Sequence, residues 1–124
     1  KKILDIFENI EKLSLNNNTL NLNIAFNYGF KNEIKKILNI INNNDLKINL
    51  NHEQEIDKLF DIGAFPDPDI LIRTGGYKRL SNFNLYQLSF TELFFLKKLW
   101  PDLTTRDIKN IIIKYKKIER KFGT

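Results

Sequence analysis

Residues 69–83 read DILIRTGGYKRLSNF, and this stretch decides the expected fold. The run DILIR is short, rich in β-branched residues and bounded by turn-forming residues, which predicts a buried strand. Two adjacent glycines, three cationic side chains, a threonine and a serine lie in or directly after it. We therefore expect a strand that ends in a turn crowded with groups that bind anions.

Helical and strand patterns alternate on both sides of this stretch. Apolar residues recur at helical spacing in residues 1–13, 31–44, 51–63 and 104–122, the last opened by a threonine or aspartate cap. Residues 81–90 also predict a helix, with Ser81 as the N-cap. Alternation predicts a strand at residues 20–29, and the short apolar run 91–96 is interpreted as another. This order predicts an α/β fold with a mainly parallel central sheet flanked by helices.

Composition limits the classes of site that the chain can carry. Its 124 residues suit one domain, and they include no cysteine and one histidine, which excludes disulfides, thiolate metal sites and a histidine cage. The net charge of +5 favours anionic partners without choosing among phosphates, nucleic acid and a membrane surface. No apolar run is long enough to span a bilayer. Because the chain has no methionine, even at position 1, we expect a fragment or a processed chain.

The turn after DILIR has the chemistry of a diphosphate site. Arg73 and Arg79 offer planar, bidentate donors, and Gly75 and Gly76 would let a ligand approach their N–H groups. Ser81, at the predicted helix start, would add a hydroxyl and free N–H groups. The residues alone leave a second interpretation open, in which this is a solvated loop whose arginines pair with surface acids.

Glu92 is an acid within the strongly apolar segment SFTELFF. Acids are rarely buried without a partner, so Glu92 is a candidate ligand for a divalent cation such as Mg²⁺. The alternative is an outward-facing residue on a half-buried element, and the pattern leaves both open.

Three stretches together resemble the cis-prenyltransferases, the family of undecaprenyl and dehydrodolichyl diphosphate synthases. They are DILIRTGGYKRLSNFNLYQLSFTELFFLKKLWPDLTTRDI at 69–108, LNLNIAFNYGFKNEI at 20–34 and ERKFG at 119–123. The resemblance implies condensation of isopentenyl diphosphate onto an allylic diphosphate, with Mg²⁺, to build a Z-polyprenyl diphosphate. It also implies a homodimer, with peripheral membrane association as an option. The compartment stays open between the cytoplasm and, in a eukaryote, the endoplasmic reticulum.

The resemblance also implies roles for individual residues. Arg73, Arg79 and Ser81 match positions that hold the diphosphate of isopentenyl diphosphate, and Asn27 matches a residue lining the same cleft. Glu92 matches a Mg²⁺ ligand. Gly123 matches the end of a carboxyl-terminal tail that reaches the partner subunit's substrate site.

The same comparison reveals departures from the family pattern. The departing residues are Phe30, Lys31, Tyr77, Tyr86, Phe90 and Lys121. The family's principal catalytic aspartate and its allylic site belong to an amino-terminal half that these stretches do not match. Residues 1–124 are therefore expected to be the carboxyl-terminal part of a single domain, inactive alone.

Two further functions compete with that of an enzyme. One is a non-catalytic subunit of a heteromeric cis-prenyltransferase, although such a subunit need not keep Arg73, Arg79, Ser81 and Glu92. The other is a basic nucleic-acid-binding domain, which the chain does not favour because its phenylalanines lie in apolar runs. No nucleic-acid partner is therefore expected.

Overall fold

The computed structural model describes residues 2–43, 48–49, 51–63 and 65–121. The α/β class is confirmed, with helices around a small parallel sheet. In chain order the elements are α1 (Lys2–Ser14), α2 (Phe30–Asn42), α3 (Glu53–Asp57), β1 (Ile70–Arg73), β2 (Glu92–Phe95), a 3-10 helix (Trp100–Asp102) and α4 (Thr105–Tyr115).

Strands β1 and β2 pair in parallel, as the two apolar runs predict. Ile70 lies opposite Glu92 and Arg73 lies opposite Phe95. Because the strands are parallel, both carboxyl ends lie at the same edge, where ligands of α/β sheets commonly bind. The cationic turn leaves β1 at this edge.

The helical predictions for α1, α2 and α4 are confirmed, with some shorter bounds. Ile37 on α2 and Ile111 on α4 are buried and share the described core with Phe60 and Leu88. The final helix ends at Tyr115, well before Gly123, and the helix predicted at 51–63 is helical only in α3. No helix in the described ranges is long and apolar enough to cross a membrane.

The strand prediction at residues 20–29 is wrong. A strand requires a neighbouring backbone to bond with, and the described residues provide no such partner for this segment. Its alternating apolar side chains are exposed, at Leu20, Leu22, Ile24 and Phe26. Helix α1 likewise has no buried residue. The two segments contact each other through the rings of Phe7 and Phe26, 6.1 Å apart, but most of their apolar side chains stay exposed in the described part of the chain.

The helix prediction at residues 81–90 is also wrong, and Ser81 is not a helix cap. The segment is a succession of turns. Ser81, Asn82 and Asn84 have φ angles of 51°, 62° and 40°, which a right-handed helix cannot contain. Asparagine tolerates this left-handed region better than most residues, so SNFN favours a turn despite its helix-like apolar spacing.

Helix α4 begins with the expected threonine cap. The Thr104 hydroxyl accepts a hydrogen bond from the Asp107 N–H at 3.3 Å, and the Asp107 carboxylate accepts one from the Thr104 N–H at 2.9 Å. Lys98 pairs with the same carboxylate at 2.8 Å. The capping box stabilises the start of α4, and the pair with Lys98 connects it to the loop that follows β2.

Asp107 is expected to make the stability of the chain sensitive to acid. Its bonds to Lys98 and then Thr104 hold the pKa of the carboxyl below its ordinary value of 3.8. A pKa that is lower in the folded state adds stability above the ordinary pKa and loses it as the pH falls through the folded value. The free energy of unfolding should therefore decrease below about pH 3.8, and less steeply in Asp107→Asn, as measured by urea denaturation.

Asp102→Asn is the matched control, because Asp102 is an exposed acid in the preceding 3-10 helix. It should keep the acid dependence of the unmodified chain. Tyr115 and Arg120 also lower the pKa of Asp69, so Asp107→Asn should reduce the dependence without abolishing it. The same dependence in Asp107→Asn as in the unmodified chain would contradict this role.

Candidate anion-binding site

Arg73 is the last residue of β1, and its guanidinium folds back over the turn. One terminal nitrogen, Nη1, donates a hydrogen bond to the carbonyl of Arg79. Its Nε–H is buried and has no hydrogen-bond partner. A buried donor without a partner is costly, so an acceptor such as a phosphate oxygen would stabilise this arrangement. Arg73 therefore provides the strongest structural indication of an anion site.

Arg79 and Ser81 lie together on the same turn. Arg79 Nε is 3.3 Å from Ser81 Oγ, to which it donates. Its guanidinium stacks on the ring of Tyr77, with 4.6 Å between Cζ and the ring centroid. The neutral ring of Tyr77 thus orients Arg79 without neutralising its charge. No carboxylate within the described ranges pairs with Arg73 or Arg79.

The N–H groups of Gly75 and Gly76 are not open to a ligand, contrary to the sequence prediction. The N–H of Gly75 donates to the carbonyl of Lys98 at 2.8 Å, and that of Gly76 to Leu96 at 2.8 Å. These bonds extend the pairing beyond β1 and β2, so neither N–H is available to a ligand. Both glycines have positive φ, 85° and 80°, which other residues adopt only with strain.

The segment that carries Asn27 packs against this turn. The backbone N–H of Phe30 donates to the carbonyl of Asn82 at 2.9 Å, and that of Lys31 to its side-chain Oδ1, also at 2.9 Å. A Cβ atom at Gly29 would lie 2.8 Å from Asn82 Nδ2, so a larger residue there would require the Asn82 side chain to shift. The structure thus brings the Asn27 segment next to Ser81.

Sequence reasoning missed Asn82, which makes both of these bonds. Its signal was the SNFN tetrapeptide, since asparagine is the residue that best supplies both a left-handed backbone and a bonding side chain.

Glu92 lies at the other end of the strand pair from Arg73. It opens β2 opposite Ile70, three positions before Arg73 along β1, or about 10 Å at the usual rise per residue. Its half-buried carboxylate makes no hydrogen bond or ion pair within the described residues. Those residues contain no group of three acidic, histidine or cysteine ligands that could hold a metal ion. Glu92 as a ligand for Mg²⁺ therefore stays a prediction.

Gly123, the remaining predicted site residue, lies outside the described residues. Nearby Arg120 pairs with Asp69, donates to the Tyr115 hydroxyl at 2.9 Å and donates to the carbonyl of Phe90 at 3.1 Å. These contacts fasten the chain after α4 to the sheet.

Together these features define an α/β domain whose parallel strands end in a cationic turn. A family model described as "Putative undecaprenyl diphosphate synthase" matches residues 1–123. The chain belongs to this family of cis-prenyltransferases.

Relatives and solved structures agree with this assignment. An isoprenyl transferase from Thermotoga maritima is 41% identical over 126 residues, which is 99% of this chain and 54% of the relative. The crystal structure of a probable undecaprenyl diphosphate synthase from Campylobacter jejuni superposes with a TM-score of 0.83 at 32% identity, covering 100% of this chain and 57% of that one. Lavandulyl diphosphate synthase from Lavandula x intermedia, in complex with dimethylallyl diphosphate, has a TM-score of 0.83 at 33% identity, covering 98% and 54%. The chain thus spans about half the length of these relatives.

Proposed function

We propose that this chain binds the diphosphate of isopentenyl diphosphate at the turn formed by Arg73, Arg79 and Ser81. The observation that carries the proposal is the Arg73 guanidinium, bonded to the Arg79 carbonyl while its buried Nε–H has no partner. Two arginines and a hydroxyl on one turn suit the oxygens of a diphosphate. Asn27, one segment away, would line the same cleft, and Gly123 would reach the substrate site of a partner subunit.

The reaction that this site would serve is prenyl transfer to give a Z-polyprenyl diphosphate, a precursor of undecaprenyl or dolichol carriers. The allylic carbon–oxygen bond breaks and inorganic diphosphate leaves with the bonding electron pair. The double bond of isopentenyl diphosphate forms the new carbon–carbon bond, and loss of a proton from the carbon next to the resulting cation restores a double bond. Arg73 and Arg79 would orient the nucleophile through its diphosphate, so that its double bond faces the allylic carbon. In the whole enzyme, the allylic diphosphate would bind to residues outside these 124.

Mg²⁺ and quaternary structure are further parts of the proposal. Mg²⁺ usually combines one or two carboxylates with substrate phosphates and waters, and Glu92 would be the carboxylate from this chain. Glu92 lies about 10 Å from Arg73 along the strands, so its contribution to Mg²⁺ binding beside the diphosphate is tested by replacing it. A homodimer and peripheral membrane association follow from the family resemblance alone.

Calorimetry with isopentenyl diphosphate, inorganic diphosphate and orthophosphate tests the site, with either Mg²⁺ or a chelator present. We expect both diphosphates to bind, and orthophosphate to bind more weakly because it offers fewer oxygens to the two arginines. An affinity that increases with Mg²⁺ and loses that increase in Glu92→Gln would support the metal role. A folded chain that binds none of the three anions would refute the site.

A further inference from the structure

Glu33 is a buried acid in the first turn of α2. Its exposed fraction is only 4%, which is unusual for a carboxylate and requires hydrogen-bonding partners. Both of its oxygens have one. Oε1 accepts from the backbone N–H of Asp61 at 2.7 Å, and Oε2 accepts from the hydroxyl of Tyr28. Glu33 therefore joins α2, the turn after α3 and the segment that carries Asn27.

Both the hydroxyl and the ring of Tyr28 make contacts. Its hydroxyl donates to Glu33, and its ring packs edge-on against Phe83, with 5.6 Å between centroids. Burial, followed by the bond to Glu33, raises the pKa of Tyr28, so the hydroxyl stays a donor across the neutral range. The residue directly before it, Asn27, has a φ of 52° and so depends on its neighbours to keep that conformation.

The same segment supports the turn that carries Ser81. The N–H groups of Phe30 and Lys31 bond to both oxygens of Asn82, whose φ is 62°. Ser81, before it, is also left-handed. Their conformations cost energy that surrounding contacts must offset, and the contacts from residues 28–31 are among those that do so.

We propose that Glu33 is a positioning residue for the diphosphate turn. Its carboxylate fixes Tyr28, and Tyr28 with Phe30 and Lys31 keeps residues 81–83 in the conformation that presents Ser81 to Arg79. Glu33 itself touches none of the three anion-binding side chains. The effect on ligand binding rests on the proposed diphosphate site, but the effect on the loop can be measured without a ligand.

Three variants separate this role from ordinary burial of an acid. Glu33→Ala removes both bonds. Tyr28→Phe removes the hydroxyl, with its bond to Glu33 and its hydrogen bond with the Asn84 backbone, and leaves the bond between Glu33 and Asp61. Glu33→Gln keeps an acceptor for Asp61 and can donate its amide to the Tyr28 oxygen, so it should restore the connection without the charge.

Amide hydrogen exchange followed by NMR is the first measurement. In Glu33→Ala and Tyr28→Phe the amides of Phe30 and Lys31 should lose protection, while the Ile111 amide in α4 serves as the internal reference. Glu33→Gln should keep most of the protection. Wild-type protection at both amides in Tyr28→Phe would overturn the proposal, even if Glu33→Ala failed to fold.

Calorimetry with inorganic diphosphate is the second measurement. Tyr28→Phe should bind about tenfold more weakly than the unmodified chain, which is the expected effect of one lost positioning bond. The affinity of Glu33→Gln should stay close to that of the unmodified chain. If the unmodified chain binds no diphosphate, the proposed function fails while the exchange result still decides the role of Glu33. If the unmodified chain and Tyr28→Phe bind equally, the diphosphate site stands and the positioning role fails.

Discussion

Arg73→Ala is expected to weaken the binding of inorganic diphosphate about 100-fold. Hydrogen bonds to charged groups contribute roughly 1.5–3 kcal/mol each, and about 1.4 kcal/mol corresponds to tenfold in affinity. Arg73 offers a buried Nε–H without a partner, and its Nη1 also holds the Arg79 carbonyl. Removing this side chain would thus eliminate direct donors and loosen the turn. Calorimetry at constant ionic strength measures the change.

Two variants make this result specific to the site. Arg106→Ala removes the same charge from an exposed position on α4 and should leave the affinity within about twofold, because screening at moderate salt weakens distant charges. Arg73→Lys keeps the charge but loses the planar fork, so it should fall between the two. Equal losses in Arg73→Ala and Arg106→Ala would mean that the chain attracts diphosphate only through its net charge.

The parts of the fold that the sequence predicted well are those whose signals are local. The apolar stripes of α1, α2 and α4 repeat over several turns, and DILIR is enclosed by turn residues, so neighbours in the chain were enough to identify them. The cap of α4 was likewise predicted, because Thr104 and its partner Asp107 lie only three residues apart in the chain.

The two wrong predictions have different causes. Alternation at Leu20–Phe26 indicates which face would be buried, but a strand exists only where another backbone pairs with it, and the described residues provide none. Residues 81–90 show a helix-like spacing that the left-handed angles of Ser81, Asn82 and Asn84 override. The first prediction therefore depended on a distant partner, whereas the second overlooked the local turn preference of SNFN.

The candidate site divides in the same way. Arg73, Arg79 and Ser81 were recognisable because they share one short turn. Asn82 and Glu33 were not, since their bonds join segments far apart in the chain: Asn82 to Lys31, and Glu33 to Asp61. The glycines were predicted to open their N–H groups to a ligand, yet pairing with the loop after β2 uses them.

Phe60→Ala is expected to lower the free energy of unfolding by about 3–5 kcal/mol, the usual cost of truncating a buried phenylalanine. Its ring is 7% exposed and lies between two others. The centroid distances are 4.2 Å to Tyr86 and 6.2 Å to Phe30, with interplanar angles of 12° and 1°. Truncation would leave a cavity between α2 and the turns at 81–90, the two segments that support the diphosphate turn. Urea denaturation followed by circular dichroism measures the change.

The size of the decrease in the free energy of unfolding shows whether the ring stack around Phe60 stabilises the fold. Phe60→Leu keeps most of the volume but loses the ring contacts, so it should cost less than Phe60→Ala, about 1.5 kcal/mol. Trp100→Ala removes a larger side chain that is 72% exposed and should cost less still. Because Phe30 also bonds to Asn82 through its backbone, folded Phe60→Ala should bind diphosphate more weakly than Trp100→Ala. If Phe60→Ala were no less stable than Trp100→Ala, the ring stack would not hold these segments together, and support for the turn would have to come from the Glu33 contacts alone.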